Sequence, residues 1–405
     1  MNFERPSTHP FPWRRACPFA HRRVGAPLSE GPPVFHLPLS NGQRVWAVVR
    51  HALFCEVLTD RRFSSEHSHP GFPDIFPIRR MRTEDGKPPL LTYSGMDPPQ
   101  HTLHRRMAAY EFSPRVIAAA RPEINRIVAA RAEAFAKGPR PADVVRAFAE
   151  PVTADILGML LGIPVTFREH FGELTKALLG DGTNSKRKEA ASTSLRALVS
   201  SLLSAKEERH TDDVLGRLIR RYLAEGIYQR EQLVELAGAL ISAGYETTSS
   251  MIALGVVILL EHPEQLDYLR KGTASYAGAV DELLRHASIA DLVTARVALA
   301  ECKLAGAVIA AGEGIVALSA EANHDHRVFN NPEDFDVRRD ARNHVAFGYG
   351  RHRCLGQHLA RLELEVALST LFTTLPTIRL AIPVTELKVC DRRVILGVEE
   401  VPVTW

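Results

Sequence analysis

The chain has 405 residues, of which 45% are hydrophobic and 24% are charged, and its formal net charge at pH 7 is +3. These proportions are typical of a soluble globular protein, and the length allows one large domain or two or three smaller ones. The net charge is too small to indicate nucleic-acid binding, and no basic stripe is interleaved with aromatic residues. We therefore expect no nucleic-acid partner.

Cysteine usage and the apolar runs predict a cytoplasmic protein. The five cysteines are an odd number without a C-x-x-C pair, which argues against a disulfide framework or a zinc site and for a reducing compartment. The first residues show no charged-then-apolar signal pattern. The longest apolar run, Met251 to Leu260, is about half the length that a membrane span requires, so we expect no membrane association.

The first quarter of the chain predicts a hairpin followed by an irregular segment. Residues 34–49 alternate apolar and polar side chains around Asn41 and Gly42, which is a strong hairpin signal. A short helix is predicted from 52 to 58. Residues 67–95 contain several prolines and show no period, and such a loop is typically functional or disordered. Its apolar side chains favour a lid over a substrate site; a plain surface loop is the alternative.

Helical periodicity dominates the middle of the chain. A helix is predicted to begin near Asp97, and further helices are predicted over 116–137, 143–161, 167–179 and 192–208, followed by one capped at 211–213. Residues 180–188 form a polar break between two of these helices. We expect residues 165–190 to form a second segment that controls substrate access.

Residues 231–261 form the longest proline-free apolar segment, and they predict a buried helix roughly 45 Å long that crosses the core. Helices to Ala287, a strand-rich stretch over 292–318 and a C-terminal strand region follow. Neither an internal repeat nor a linker composition is present. We predict one domain, residues 1–405, that is mainly α with small β-sheets (α+β).

The ten residues from Phe347 to Gly356 carry the most specific pattern in the chain. They read F-G-x-G-x-H-x-C-x-G, and a helical pattern begins at once with Gln357. The glycines permit tight turns and close approach of the backbone to a flat cofactor. Cys354 precedes a helix N-terminus, where the helix dipole favours a thiolate over a thiol. A thiolate so placed suits an iron ligand, and haem held by cysteine favours O–O cleavage.

This decapeptide resembles the haem-binding loop of the cytochrome P-450 family of haem-thiolate monooxygenases. The resemblance covers nearly the whole chain and is strongest to soluble actinobacterial members that tailor secondary metabolites. It implies the cytochrome P-450 fold, a single domain with the long central helix over the haem. It also implies haem b (iron protoporphyrin IX) as the cofactor, Cys354 as the ligand of its iron, and a loop contact with the haem through four other residues, Phe347, Gly348, His352 and Gly356.

Residues 243–248 of the central helix, A-G-Y-E-T-T, include a glycine and a glutamate, which are unfavourable inside a buried helix. A glycine inside a helix costs about 1 kcal/mol relative to alanine, and a buried glutamate costs more unless it is paired. Such violations tend to mark functional sites; a helix kink with Thr247 bonded to a preceding carbonyl is the alternative. The resemblance places the segment over the distal haem face. It implies that Gly244, beside Ala243, opens room for dioxygen, that Thr247 hydrogen-bonds the bound oxygen, and that Glu246 relays protons from solvent.

Glu282 and Arg285 are three residues apart on one helix face, which alone is a weak signal because surface pairs at this spacing are common. The resemblance implies that they form a buried structural lock with an arginine near the P-x-x-F segment, residues 332–335. The third position of that segment is Asp334, where many members have arginine. We therefore expect Arg338 to be the third member of the lock.

The two propionates of haem need cationic or hydrogen-bonding partners when they are buried. Each candidate taken singly is more typical of an ordinary surface charge. The resemblance implies four partners: His101 and Arg105, which share a helix face, Arg296 on a strand, and His352 in the cysteine loop.

These features predict a monooxygenase that activates dioxygen with two externally supplied electrons and hydroxylates or epoxidises a small organic substrate, a secondary metabolite. The substrate contacts implied by family position, besides the two access segments, are Ala239, Leu292, Val293, Val394 and Ile395. The chain has no flavin or iron–sulfur segment. We therefore expect electrons to come from a separate ferredoxin and ferredoxin reductase. We also expect the protein to be a monomer. The alternatives are a haem-binding carrier or sensor without turnover and a peroxide-driven peroxygenase; the acid–alcohol pair, Glu246 and Thr247, argues against both.

Overall fold

The computed structural model describes Leu28 and residues 31–75, 92–179, 185–290, 293–390 and 395–405. The chain divides into two compact units, and each is assembled from separate stretches of sequence. The first unit comprises Met1–Arg79, Leu254–Cys354 and Ile382–Glu399. The second comprises Arg80–Ala253, Leu355–Ala381 and Glu400–Trp405.

Helices make up most of the described chain, and the strands are short. The α-helices are α1 (His51–Thr59), α2 (Gln100–Ala109), α3 (Pro114–Ala136), α4 (Glu150–Leu161), α5 (Val165–Leu179), α6 (Ser185–Glu208), α7 (Val214–Glu225), α8 (Arg230–Glu261), α9 (Pro263–Arg270), α10 (Tyr276–Ala287), α11 (Ser319–Asn323) and α12 (Gln357–Thr374). The strands are β1 (Val34–Pro38), β2 (Arg44–Val48), β3 (Phe63–Ser64), β4 (Ala142–Asp143), β5 (Ala295–Ala298), β6 (Cys302–Leu304), β7 (Ala307–Ile309), β8 (Gly314–Ala317), β9 (Arg379–Leu380) and β10 (Pro402–Thr404). The mainly helical class with small sheets is as predicted.

The first unit is built on a five-stranded sheet in the order β1-β2-β8-β5-β3. The predicted hairpin is confirmed: β1 and β2 pair antiparallel, with Val34 opposite Val48, around the Asn-Gly turn. Strand β8 adds parallel to β2, and β5 adds antiparallel to β8 with Arg296 opposite Ile315. Alternating side chains bury both faces of this sheet among aliphatic residues, so the backbone of β5 is held firmly.

The second unit is a helical assembly in which α3 packs against α12, and α4, α5 and α6 pack in succession. This unit also contains a three-stranded sheet, β4-β10-β9, in which the C-terminal strand β10 pairs antiparallel with both β4 and β9. Asp213 caps α7, as predicted, because its carboxylate accepts the backbone N–H of Gly216 at 3.0 Å.

The central helix α8 extends over Arg230–Glu261, one residue longer than predicted. It is also the one helix of the described chain that is long and apolar enough to cross a membrane, and 78% of its most apolar stretch is buried inside the protein. Buried core helices can have the same length and apolar composition as a membrane-spanning helix.

Several boundaries differ from the sequence prediction. Helix α6 begins at Ser185, so the second half of the predicted polar break is helical, and Lys188 is buried within it. The helix predicted over 143–161 begins instead with β4 and a π-helical turn, Val145–Ala149. Residues 67–75 are irregular, as predicted, and Thr92–Gly95 form a 3₁₀ turn; residues 76–91 and 180–184 lie outside the described residues.

Candidate functional site

The loop that precedes α12 has a defined shape in the first unit. Gly348 and Gly350 have φ values of +70° and +67°, which side chains other than glycine adopt at a cost. The backbone N–H of Cys354 donates to the carbonyl oxygen of Phe347 at 2.8 Å and closes the loop. A Cβ atom added to Gly350 would lie 2.8 Å from the carbonyl oxygen of Leu58 on α1, so the loop approaches α1 closely there.

Cys354 is exposed, whereas the other described cysteines are not. Cys302 and Cys390 are buried, and Cys55 is half-buried, where burial raises the pKa of its thiol to about 11. Burial also raises the pKa of the Cys302 thiol. A metal ligand must be a thiolate with room for the metal beside it. Cys354 has room beside its sulfur, whereas the three buried or half-buried thiols do not.

The pair Glu282 and Arg285 is completely buried on α10. The guanidinium donates to both carboxylate oxygens, with Nε to Oε2 at 2.7 Å and Nη2 to Oε1 at 2.9 Å. It also donates to the backbone carbonyls of Asn323, Pro332 and Asp334. All these bonds compensate the desolvation of the two charges, which is the condition for a buried ion pair to hold.

The third member of this cluster is Arg339, and the prediction of Arg338 was wrong. Arg339 Nε lies 3.1 Å from Glu282 Oε1. Arg338 instead pairs with Asp336 and places its guanidinium 4.2 Å from the ring centre of Tyr268. The reason is a turn at Asp336, whose carboxylate accepts the backbone N–H of Arg338 and directs that side chain outward.

The buried ion pair is connected to the cysteine loop through one asparagine. The side-chain oxygen of Asn323 accepts the backbone N–H of Val345 at 2.7 Å, and its amide group donates to Ser288 Oγ. Val345 in turn accepts the N–H of Gly348 at 2.8 Å. The lock therefore supports the chain at the point where it enters the loop.

The middle of α8, which belongs to the second unit, has one exposed position. This helix is described throughout, and between Gln232 and Leu260 Ala243 is its one exposed residue. Gly244 and Thr247, on the neighbouring positions of the same face, are partly exposed, and Glu246 is buried at 3% exposure. Ala243, Gly244 and Thr247 therefore form an open stripe on a helix that is otherwise mostly buried.

The hydroxyl of Thr247 donates to the carbonyl oxygen of Ala243 at 2.6 Å. This bond occupies its proton and leaves the oxygen lone pairs as acceptors. The contact is the backbone bond that the alternative interpretation of this segment predicted, and it coexists with the open stripe. The hydroxyl of Thr247 is therefore oriented by its own helix.

Gly244 has a packing role in addition to the one implied by the resemblance. A Cβ atom at this position would lie 3.0 Å from Leu157 Cδ2 of α4. The glycine therefore lets α8 approach α4 more closely than an alanine would comfortably allow. The sequence contains no local signal for this contact, because Leu157 is far away in the chain.

The four predicted propionate partners lie on ordered elements. In the second unit His101 is buried and Arg105 is partly exposed one turn later on α2. In the first unit Arg296 is buried on β5, where Nη1 donates to the carbonyl of Ala295 at 2.7 Å, and His352 lies partly exposed in the cysteine loop. A guanidinium has five N–H donors, so Arg296 can bind more than one acceptor.

The predicted substrate contacts are varied in exposure. Ala239 is 1% exposed and Ile395 is 4% exposed, whereas Val293 is 53% exposed. Leu292 and Val394 lie outside the described residues.

Comparison with known proteins identifies the family. A family model for cytochrome P-450 matches residues 168–377. Cytochrome P-450 105A3 of Streptomyces carbophilus is 39% identical over 396 residues, which cover 98% of this chain and 95% of that protein. Pentalenic acid synthase of Streptomyces avermitilis is 40% identical over 396 residues, covering 98% and 97%. The crystal structure of mycinamicin VIII C21 methyl hydroxylase of Micromonospora griseorubida, bound to mycinamicin VIII, matches with a TM-score of 0.87 and 32% identity, covering 98% and 99%.

The chain belongs to the cytochrome P-450 family. It is a haem-thiolate monooxygenase, an oxidoreductase whose cofactor is haem b bound through a cysteine thiolate. Enzymes of this family use an organic substrate, dioxygen and electrons from redox partners. The exposed thiol of Cys354 fits such a cofactor.

Proposed function

We propose that Cys354 is the iron ligand of this enzyme and that Phe347, Gly348 and Gly356 shape the loop around it. The observation that carries the proposal is the exposure of Cys354 in a loop whose glycine conformations and backbone bond fix its position. Bound haem supplies an electron-rich iron at which dioxygen can be activated. The propionates would be held by positive charge and donors from four residues, Arg296, His352, His101 and Arg105.

Glu246 and Thr247 of α8 would supply the protons that the reaction consumes. The reaction consumes one dioxygen, two electrons and two protons, inserts one oxygen atom into the substrate and releases the other as water. Glu246 is buried beside the open stripe, where it can receive a proton from solvent and pass it toward Thr247. Thr247 accepts hydrogen bonds at its oxygen while Ala243 holds its proton, and Ala243 keeps the adjacent space free of a large side chain.

The substrate is a secondary metabolite that is hydroxylated or epoxidised. Two relatives support this class, because one is named for pentalenic acid and another for the C21 methyl group of mycinamicin VIII. The small apolar side chains of Ala239 and Ala243 favour an apolar substrate. We place the access segments at residues 67–95 and 165–190, with Leu292, Val293, Val394 and Ile395 as further contacts.

Electrons come from a separate ferredoxin and ferredoxin reductase to a cytoplasmic, monomeric enzyme. Arg351, Arg353 and Arg361 supply positive charge close to Cys354 in the sequence, which favours an acidic electron donor. The whole chain forms one cytochrome P-450 domain. The order of segments along the sequence supports this, since each compact unit contains segments from distant parts of the chain.

An optical titration of the ferric protein tests the substrate proposal. Fractions of an extract from the producing organism are added to haem-loaded protein, and a shift toward high spin reports a ligand near the iron. The active fraction is then incubated with a ferredoxin, its reductase and dioxygen, and the products are analysed. We expect a product that is heavier by one oxygen atom. A shifting ligand that yields no oxygenated product, while electrons are consumed, would contradict the proposal for that substrate class.

A further inference from the structure

His344 is a buried histidine in the chain that leads into the cysteine loop, three residues before Phe347. Its side chain is fully buried, and its backbone N–H donates to the carbonyl oxygen of Ala341 at 2.9 Å, which places the residue in a turn. A buried polar ring is stable only if its nitrogen atoms have hydrogen-bond partners. The structure supplies one partner for each nitrogen of His344.

The two ring nitrogens of His344 have different roles. Nδ1 lies 3.1 Å from the backbone nitrogen of Ala346, and because that N–H can only donate, Nδ1 accepts. Nε2 lies 3.2 Å from Oδ1 of Asp281 on α10, and because a carboxylate oxygen accepts, Nε2 carries the proton. The two partners therefore fix both the tautomer and the orientation of the ring.

The ring of His344 packs against the ring of Phe347. The two ring centres are 5.6 Å apart and their planes are inclined by 51°, a separation within the range that aromatic pairs prefer. Phe347 is joined to Cys354, because its carbonyl oxygen accepts the backbone N–H of Cys354 at 2.8 Å. A continuous series of contacts thus leads from Asp281, through His344 and Phe347, to the backbone of the proposed ligand.

Asp281 directly precedes Glu282 of the buried ion pair, so α10 supports the entry to the loop from two neighbouring positions. The ion pair supports the backbone N–H of Val345 through Asn323. Asp281 supports the preceding residue, His344, and through its ring reaches a side chain of the loop. The two supports are separate, because one holds backbone and the other holds an aromatic ring.

We propose that His344 is a positioning residue for the iron ligand and that Asp281 sets its orientation. The inference rests on the proposed role of Cys354, and it adds the contacts that hold this thiolate in place. The carboxylate of Asp281 fixes the ring of His344, this ring holds Phe347, and the carbonyl of Phe347 holds the N–H of Cys354. Residues that orient a metal ligand in this way typically change metal affinity by about 10- to 100-fold when they are replaced.

The test compares Asp281→Ala with Asp340→Ala in the haem-loaded protein without substrate. Asp340 is the matched control, because it lies four residues before His344 in the same stretch of chain but pairs with Arg342 on the surface. Two rates are measured: amide hydrogen exchange over residues 344–354, and loss of the long-wavelength carbon monoxide band from the reduced protein. We expect Asp281→Ala to speed both about tenfold, the size expected for loss of one hydrogen bond to a charged group. We expect Asp340→Ala to change neither.

The outcomes separate positioning of the ligand from general support of the fold. Unchanged exchange over residues 344–354 in Asp281→Ala would show that the carboxylate does not hold the loop, and faster exchange with an unchanged band would show that the loop does not hold the ligand. Either result overturns the proposal, as does an equal effect of Asp340→Ala. The unmutated protein is measured first: if it lacks the long-wavelength band, the proposed role of Cys354 fails, while the exchange rates still test the support of the loop.

Two further variants test the path of this support, and the first also serves if Asp281→Ala does not fold. Asp281→Asn keeps an oxygen that can accept from His344 but removes the charge, and a neutral hydrogen bond is about half as strong. Both rates should therefore exceed those of the unmutated protein and stay below those of Asp281→Ala. His344→Phe keeps an aromatic ring beside Phe347 but removes both nitrogens. In that background Asp281→Ala should speed neither rate further, and an undiminished effect there would contradict the path through His344.

Discussion

Arg285 donates a hydrogen bond to the backbone carbonyl of Asn323 at 2.9 Å, so Asn323 connects the buried ion pair to the chain that leads into the cysteine loop. The side chain of Asn323 then holds the N–H of Val345, two residues before the loop begins. The shape of the loop depends in this way on charges that lie far from Cys354 in the sequence. Loss of the ion pair should therefore affect both the stability of the first unit and the retention of haem.

Glu282→Gln tests the buried ion pair. The change removes the carboxylate that pairs with both Arg285 and Arg339. Breaking a buried ion pair in this way costs about 3–5 kcal/mol. Urea unfolding of the haem-loaded protein should show this loss, together with release of haem at lower urea concentration. Arg338→Ala is the matched control: its guanidinium is exposed and pairs with Asp336, so we expect no measurable change. Equal losses in the two variants would contradict the assignment of Arg339 to the lock.

The local part of this arrangement was predictable and the distant part was not. The spacing of Glu282 and Arg285 places them on one helix face, and the loop pattern at 347–356 indicates the ligand. The choice between Arg338 and Arg339 depends on the turn that Asp336 forms with the backbone of Arg338. Because of that turn, Arg339 and not Arg338 points toward Glu282. The periodicity of helices and strands does not predict such a turn.

Gly350→Ala tests the close approach of the loop to α1. The φ value of +67° costs an alanine about 1–2 kcal/mol, and the added Cβ would lie 2.8 Å from the carbonyl oxygen of Leu58. Gly42→Ala is the control, because its φ is +85° and no atom lies within 4 Å of the added Cβ. In urea unfolding we expect the Gly350 variant to lose clearly more stability than the Gly42 variant. If the two losses are the same, the contact with Leu58 is unimportant.

Glu363, on α12, predicts a dependence of stability on pH. It is 1% exposed, and burial raises the pKa of its carboxyl well above the usual value of 4.5. The folded protein therefore keeps a proton that the unfolded chain releases above pH 4.5. Its contribution to stability is complete below that pH and is lost as the pH rises toward the folded pKa.

Glu363→Gln removes this titration while it keeps the shape of the side chain. Relative to the unmutated protein, we expect the variant to gain stability as the pH rises from 5 to 8 and to show little difference near pH 5. Urea unfolding at both pH values measures the change. Glu365→Gln is the control, since Glu365 pairs with Arg121 on the surface and should not show a gain that grows with pH. A Glu363→Gln effect that is independent of pH would refute the raised pKa.

Thr247→Ala tests the delivery of protons. The variant keeps Glu246 and the open stripe but loses the hydroxyl that is oriented by Ala243. We expect electron consumption to continue while much of it is diverted to hydrogen peroxide, which is measured together with NAD(P)H oxidation. Thr247→Ser keeps a hydroxyl able to make the same bond and should remain closer to the unmutated protein. Unchanged coupling in Thr247→Ala would remove Thr247 from the mechanism.

Around α8, too, the sequence predicted the local pattern but not the contacts between residues that are distant in the chain. The A-G-Y-E-T-T segment was visible as a rule-breaking stretch in an apolar helix. The packing of Gly244 on Leu157, and the close approach of Tyr245 to Gly172, join residues that are about seventy to ninety positions apart. Contacts at such separations are decided by how helices pack, and a single sequence does not reveal them.

The central claim is that the thiolate of Cys354 binds haem iron, and the carbon monoxide difference spectrum of the reduced protein tests it most directly. The unmutated protein should give the long-wavelength Soret band that is typical of a thiolate ligand. Cys354→Ser should lose that band, whereas Cys390→Ser, which changes a buried cysteine, should keep it. Absence of the band in fresh, folded, unmutated protein, or its survival in Cys354→Ser, would contradict the claim.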